Sequence, residues 1–142
     1  MKDLKFRLRD RFNNIAGYEK WYEGELHSYE DGTKDYIAHP CWLTSEDGDT
    51  WKARTIPHRF KDQYTGLEDK NGKEIYEGDI LKSVSPKTGM IKVAFVCYIR
   101  RAFELAFELY DFSKLSSLGA CGWEMSEVIG NIYSNPELLE KR

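Results

Sequence analysis

Four carboxylates, Asp69, Glu74, Glu77 and Asp79, fall close together in sequence around Lys73. Carboxylates gathered beside a lysine are the raw material of metal-assisted hydrolysis, since they can hold a cation that activates water. The run that carries them, Tyr64 to Leu81, also contains Asn71-Gly72 and Glu77-Gly78-Asp79. Asp and Glu are ordinary turn residues in such settings, so the structural reading of this cluster outweighs the chemical one. A second group of ligand-type side chains is His39-Pro40-Cys41, with His27, His58, Cys97 and Cys121 scattered elsewhere. The spacings of common zinc sites, Cys-x-x-Cys and His-Glu-x-x-His, are missing. So are the second cysteine and the His-x-Glu partner of a zinc deaminase. There is also no phosphate-cradling glycine loop, no Gly-x-Ser-x-Gly elbow and no dinucleotide fingerprint. The sequence therefore assigns no catalytic residue, no metal ligand and no cofactor, and the expectation is a protein that is not an enzyme. A small metal-dependent nuclease or hydrolase using Glu74, Glu77 and Asp79 ranks last of three functional readings.

Binding chemistry is better represented. Lys5, Arg7, Arg9 and Arg11 alternate with Leu4, Phe6 and Leu8, the period-two pattern of an amphipathic strand. Four cations on one strand face would suit a nucleic-acid backbone, and Arg54, Arg59, Lys61, Arg100 and Arg101 add to the basic inventory. The competing reading is a solvated edge strand whose charges discourage edge-to-edge pairing. A net charge of −3 argues against attraction of nucleic acid by the field of the whole protein. The aromatics of Ile15 to Ile56, among them Tyr18, Trp21, Trp42 and Trp51, could stack on bases. Their density is equally that of cross-strand pairs in a small β domain, and that reading is preferred.

The elements that would position these residues are mostly strands. After a turn at Asn13-Asn14, strands are expected around residues 18–26, 35–43 and 50–56, separated by Asp31-Gly32 and Asp47-Gly48-Asp49. Asn71-Gly72 predicts a primed hairpin turn, which needs positive φ at both central residues. Gly78 marks a bend, with Ile75 and Ile80 in the core. Residues 90–98 are apolar on both faces and predict a central strand. Residues 102–112 fit either a strand or a helix; the strand is preferred, because residues 90–98 need an antiparallel partner. One or two helical turns are expected over 111–118, and a last strand bent at Gly130 over 123–133. A short C-terminal helix should follow, with Pro136 in its first turn and Asn135 as cap.

At 142 residues, 41% of them hydrophobic, the chain has the size of one domain. Its parts are an N-terminal aromatic-rich β arm or subdomain, 1–56, and a second part, 57–142. No apolar run reaches the roughly 20 residues that cross a bilayer, and the charged start is unlike a secretory leader. Three widely spaced cysteines read as free thiols. These features predict a cytoplasmic protein without a membrane partner.

Two blocks closely resemble the YopX-like family of phage and prophage proteins. The first, Thr65 to Leu81, reads Thr-Gly-Leu-x-Asp-Lys-Asn-Gly-Lys-Glu-Ile-Tyr-Glu-Gly-Asp-Ile; the second, Glu127 to Leu139, reads Glu-Val-Ile-Gly-Asn-Ile-Tyr-x-Asn-Pro-Glu-Leu-Leu. The resemblance implies a mainly β protein with an SH3-type small barrel in the second half and a viral or prophage origin in a bacterial host. It implies no reaction and carries over no catalytic residue. Gly66, Asn71, Gly72, Gly78, Asp79, Gly130, Asn131 and Pro136 stand in the matching blocks as structural residues. The leading reading is thus a structural or interaction module that forms a homo-oligomer or binds a phage or host protein. The runner-up is a nucleic-acid-binding module using Lys5, Arg7, Arg9 and Arg11.

Overall fold

The computed structural model describes residues 4–99, 102–108, 111–117 and 125–139. Arg100, Arg101, Cys121 and the segment 118–124 lie outside the described residues. The chain is mainly β and divides into two compact units, Met1–Lys61 and Asp62–Arg142, a few residues beyond the boundary expected at Pro57.

In the first unit, β1 (Lys5–Arg9) pairs antiparallel with β2 (Ile15–Tyr22), which pairs in turn with β5 (Cys41–Ser45). Between β2 and β5 the chain makes a separate two-stranded sheet, β3 (Glu25–Ser28) with β4 (Lys34–Ala38). The ribbon breaks direction at Gly24, whose φ is 83° and where a Cβ would come within 2.7 Å of the Ala38 carbonyl oxygen. Only glycine fits such a site. The expected strand over 50–56 is not formed. Its one sheet contact is an isolated bridge between Thr44 and Lys52, because the Asp47 carboxylate gathers the Asp49 and Thr50 N–H groups into a turn instead. Leu8 is fully buried, and Ile56 packs over Gly17, where an added Cβ would lie 2.8 Å from Ile56 Cδ1.

The strand β6 (Phe60–Glu68) leads into the second unit, where it pairs with β7 (Glu74–Tyr76). The strands β8 (Asp79–Val84), β9 (Ile91–Ile99), β10 (Ala102–Glu108) and β11 (Asp111–Ser117) form a meander, and β12 (Ser126–Asn131) returns to β8. The order β11-β10-β9-β8-β12 is an open antiparallel sheet with β11 and β12 at its edges. The central place expected for residues 90–98 is that of β9, between β8 and β10. Over its middle, Ala94–Val96, both of its faces are covered. Ala94 and Val96 join Ile75, Leu81 and Leu105 in one cluster, while Phe95 joins Ile80 and Ala106 in another.

Three local expectations are corrected. Residues 111–117 are strand rather than helical turns, pairing with β10 across a hairpin. The C-terminal helix is a single 3₁₀ turn, Pro136–Leu139; the Asn135 side chain accepts from the Asn131 N–H instead of capping it. The Asn71-Gly72 turn is not primed, since of the two only Gly72 has positive φ, 80°. Asp69 N donates to Lys73 O, and Gly72 N to Asp69 O, as in a three-residue hairpin loop that ends on a left-handed residue. The Asp10–Asn14 turn repeats the pattern with Asn13 at φ 66°. In both, the leading Asp accepts two downstream N–H groups through Oδ1. That side-chain preference displaces the primed geometry.

Candidate interaction surface

Two of the four carboxylates that opened the chemical question, Asp69 and Asp79, are holding backbone. Asp69 is buried, and its Oδ1 accepts the N–H groups of Asn71 and Lys73, each at 2.9 Å, while Oδ2 accepts the Val128 N–H at 2.9 Å. Burial pushes its pKa up, but these donors outweigh it, and the carboxyl is held below its ordinary value. Asp79 is buried too, and its Oδ2 accepts the Tyr76 N–H. Glu74 accepts the Tyr76 hydroxyl at 3.1 Å. Among the described residues no three His, Cys, Asp or Glu side chains are grouped to hold a metal ion. His39 stands against the Tyr36 ring, His27 against Tyr29, and His58 Nδ1 lies 2.8 Å from the Ile56 carbonyl. Cys41 and Cys97 are free thiols. Burial, with Glu104 and Glu77 nearby, raises the Cys97 pKa and keeps that thiol protonated.

The two motif blocks are one another's partners. β12 pairs with β8, Lys70 N donates to Ser126 O, and Ile132 N donates to Gly78 O. At Gly78, φ 90°, a Cβ would sit 2.7 Å from the Tyr133 ring. At Gly130 a Cβ would sit 2.6 Å from Asn135 Oδ1. Asn131 Oδ1 accepts the Tyr133 and Ser134 N–H groups, closing the turn after β12. Gly66, φ 86°, occupies the irregularity between Tyr64 and Glu68 where β6 departs from register with β7. Pro136 opens the 3₁₀ turn. The residues that carry the resemblance thus have structural work in the second unit.

The basic strand does not present one stripe to solvent. Arg7 and Arg9 are buried, at 5% and 4% exposure. Arg9 donates to Asn13 Oδ1 and lies over the Phe60 ring, centroid distance 5.0 Å. Lys5 and Lys20, directly opposed across β1 and β2, both approach the Trp51 ring. Arg11 lies beyond the strand in the Asp10–Asn14 turn, over Phe12. On the other sheet face, Trp21 meets Trp42 edge-on at 5.2 Å and Phe6 lies 6.2 Å from Trp42. Lys61 covers Phe6 and Trp42 and is held by Glu19 at 2.6 Å. Basic residues therefore do interleave with the aromatics, which linear order concealed.

What sequence reading missed is the exposure of two apolar patches at the ends of β2. Every residue of Glu25–Ser28 and Lys34–Ile37 is exposed. Leu26 (51% exposed) and Tyr36 (41%) are cross-strand partners there, and Ile37 (61%) is the extra residue where register shifts. At the other end of β2, Phe12 (68%), Ile15 (50%) and Phe60 (43%) are exposed; Arg11 lies over the Phe12 ring, Arg9 lies over Phe60 and opposite Ile15, and Arg59 N donates to Arg9 O. Polar side chains, including Thr44, Asp47, Lys52 and Arg54, line an open pocket of ≈ 210 Å³ at the Asp47 turn.

Mainly β, with open antiparallel sheets and a motif whose residues serve its own packing, the structure defines a class of small β proteins. Within that class the chain belongs to the YopX family: residues 5–140 match the family described as YopX protein. Among solved structures it is similar to protein EF1440 from Enterococcus faecalis, with a TM-score of 0.55 and 26% identity over 99% of this chain and 100% of that one. It is also similar to yopX from Bacillus subtilis, with a TM-score of 0.49 and 21% identity over 97% of each chain. No curated protein matches the chain.

Proposed function

We propose that this protein is a non-enzymatic interaction module of phage or prophage origin that works in the host cytoplasm by self-association or by docking on a phage or host protein. The observation that carries the reading is the β3–β4 hairpin. An isolated two-stranded sheet is marginal in water, and this one exposes Leu26, Tyr36 and Ile37. A partner that covers them would complete the element. The origin rests on the family and its two motif blocks. Within the same reading the second unit is an SH3-type barrel, supported by the meander β8–β11 whose following strand, β12, folds back on β8. Sedimentation velocity across a wide concentration range tests the main claim. A mass that rises above the 16.6 kDa of one chain supports it. A monomer throughout, with no stoichiometric partner from the phage-bearing host, overturns it.

Nucleic-acid binding is the second reading, and one observation favours it: Arg11 and Arg59 are exposed beside the exposed rings of Phe12 and Phe60, the pairing of cation and stacking platform used for single strands. Anisotropy of a labelled single-stranded oligonucleotide at physiological salt checks it. Binding should weaken when Arg11 and Arg59 are changed to Glu; affinity unaffected by that reversal rejects the patch as the contact.

A further inference from the structure

We infer that the two exposed patches of the first unit are made for each other: the β3–β4 hairpin of one copy docks on the Phe12/Phe60 patch of a second copy of this chain. The inference rests on the self-association reading and names the surfaces that perform it.

β2 is antiparallel to both of its neighbours, β1 and β5. The Asp10–Asn14 turn joins β1 to the start of β2, and the hairpin leaves from the other end, between the paired residues Tyr22 and Cys41. At a rise of roughly 3.3 Å per residue, the length of β2 separates the two patches by about 25 Å. Neither patch can therefore cover the other within one first unit.

Over Glu25–Ala38 the hairpin carries Glu25, Glu30, Asp31 and Asp35 against Lys34 alone, so it is acidic around its apolar face. Glu25, Glu30, Asp31, Asp35 and Lys34 are all exposed; Asp31 and Asp35 also accept N–H groups within the hairpin, so Glu25 and Glu30 are the acids to exchange without disturbing its turns. The opposite patch is basic around its apolar face. Arg11 and Arg59 are exposed there and Arg9 backs Phe60, three cations against the Asp10 carboxylate, whose Oδ1 accepts the Phe12 and Asn14 N–H groups of the turn. Each patch thus has the composition of an interface, with apolar groups at its centre and charge at its rim, and the two rims are of opposite sign. Opposite rims favour this pairing and disfavour hairpin on hairpin or patch on patch. The contact joins unlike surfaces, so it closes reciprocally between two copies or around a larger ring, or extends as an open filament where the rotation does not close.

The test uses the full chain and charge reversal. Glu25→Lys with Glu30→Lys makes a hairpin variant, Arg11→Glu with Arg59→Glu a patch variant, and all four changes are also combined in one chain. Circular dichroism reports that each is folded. Sedimentation velocity should show the native chain assembled, with each double variant dissociating at least about tenfold more readily. An equimolar mixture of the two, and the fourfold variant alone, should assemble again, because both restore opposite rims. Assembly of both double variants at native strength overturns these surfaces while leaving self-association standing. Weakening without recovery in the mixture or the fourfold variant overturns the pairing as well. A native chain that stays monomeric at every concentration overturns both claims together.

Discussion

A buried carboxylate that accepts three backbone N–H groups is held ionised by its donors, and Asp69 is such a group. It closes the β6–β7 turn with Oδ1 and fixes β12 with Oδ2, reaching Val128 59 residues away. Asp69→Ala would leave these donors short of an acceptor, with an expected loss of about 2–4 kcal/mol in urea unfolding. The pH dependence follows from the direction of the shift. Because the folded-state pKa lies below the ordinary aspartate value, the stabilisation is fully present above that ordinary value and is lost as pH falls through the folded one. The gap in urea midpoint between the native chain and Asp69→Ala should therefore be constant from pH 7 to about 5 and shrink below pH 4. Asp47 follows the same rule on an exposed turn. The Thr50, Asp49 and Ser45 donors lower its pKa to about 2, so Asp47→Asn should match the native chain most closely at the acid end of the same titration. A native–variant difference that grows on acidification would contradict both assignments.

At the scale of elements, legibility in the sequence followed how local the deciding interaction was. β9 was readable because Val93 to Val96 put apolar residues on both of its faces in succession. The bend at Gly78 was readable because only glycine takes φ near 90° at low cost. The reason it must be glycine was not, since the ring that fills the Cβ position belongs to Tyr133, in the other motif block. Gly78→Ala should cost about 1–3 kcal/mol from backbone strain plus the clash. In a Tyr133→Ala background only the strain should remain, which a double-mutant cycle in urea measures; equal costs in both backgrounds would remove Tyr133 from the account. The misread elements fail for the same physical reason. Residues 111–117 have no strong local preference and become strand by pairing with β10. The 50–56 strand is pre-empted by the Asp47 turn. The basic alternation of β1 gave the strand correctly, but burial of Arg7 and Arg9 depends on neighbours that no local pattern specifies.

For the molecule as a whole, a net charge of −3 conceals an uneven distribution, and the unevenness makes a prediction that an apolar contact alone would not. Burial of Leu26, Tyr36, Ile37, Phe12 and Phe60 between copies would, by itself, be strengthened by excluded salts such as sulfate. Attraction between an acidic rim and a basic rim works against that trend, because exposed charges are screened within about 10 Å at 0.1 M salt and about 3 Å at 1 M. With both terms present, sodium chloride should weaken assembly steeply between low and physiological ionic strength and less steeply beyond it, chiefly through the rate of association. The fourfold charge-exchanged variant should show the same salt profile, since its rims are opposite in sign though inverted in place. The patch variant should show the reverse sign: two acidic surfaces repel, so added salt should favour whatever weak association survives. Sedimentation velocity of these three chains at low, physiological and high sodium chloride reads the effect directly. Salt-independent assembly of the native chain would mean that the apolar groups act alone and that the charges around them do not select the partner.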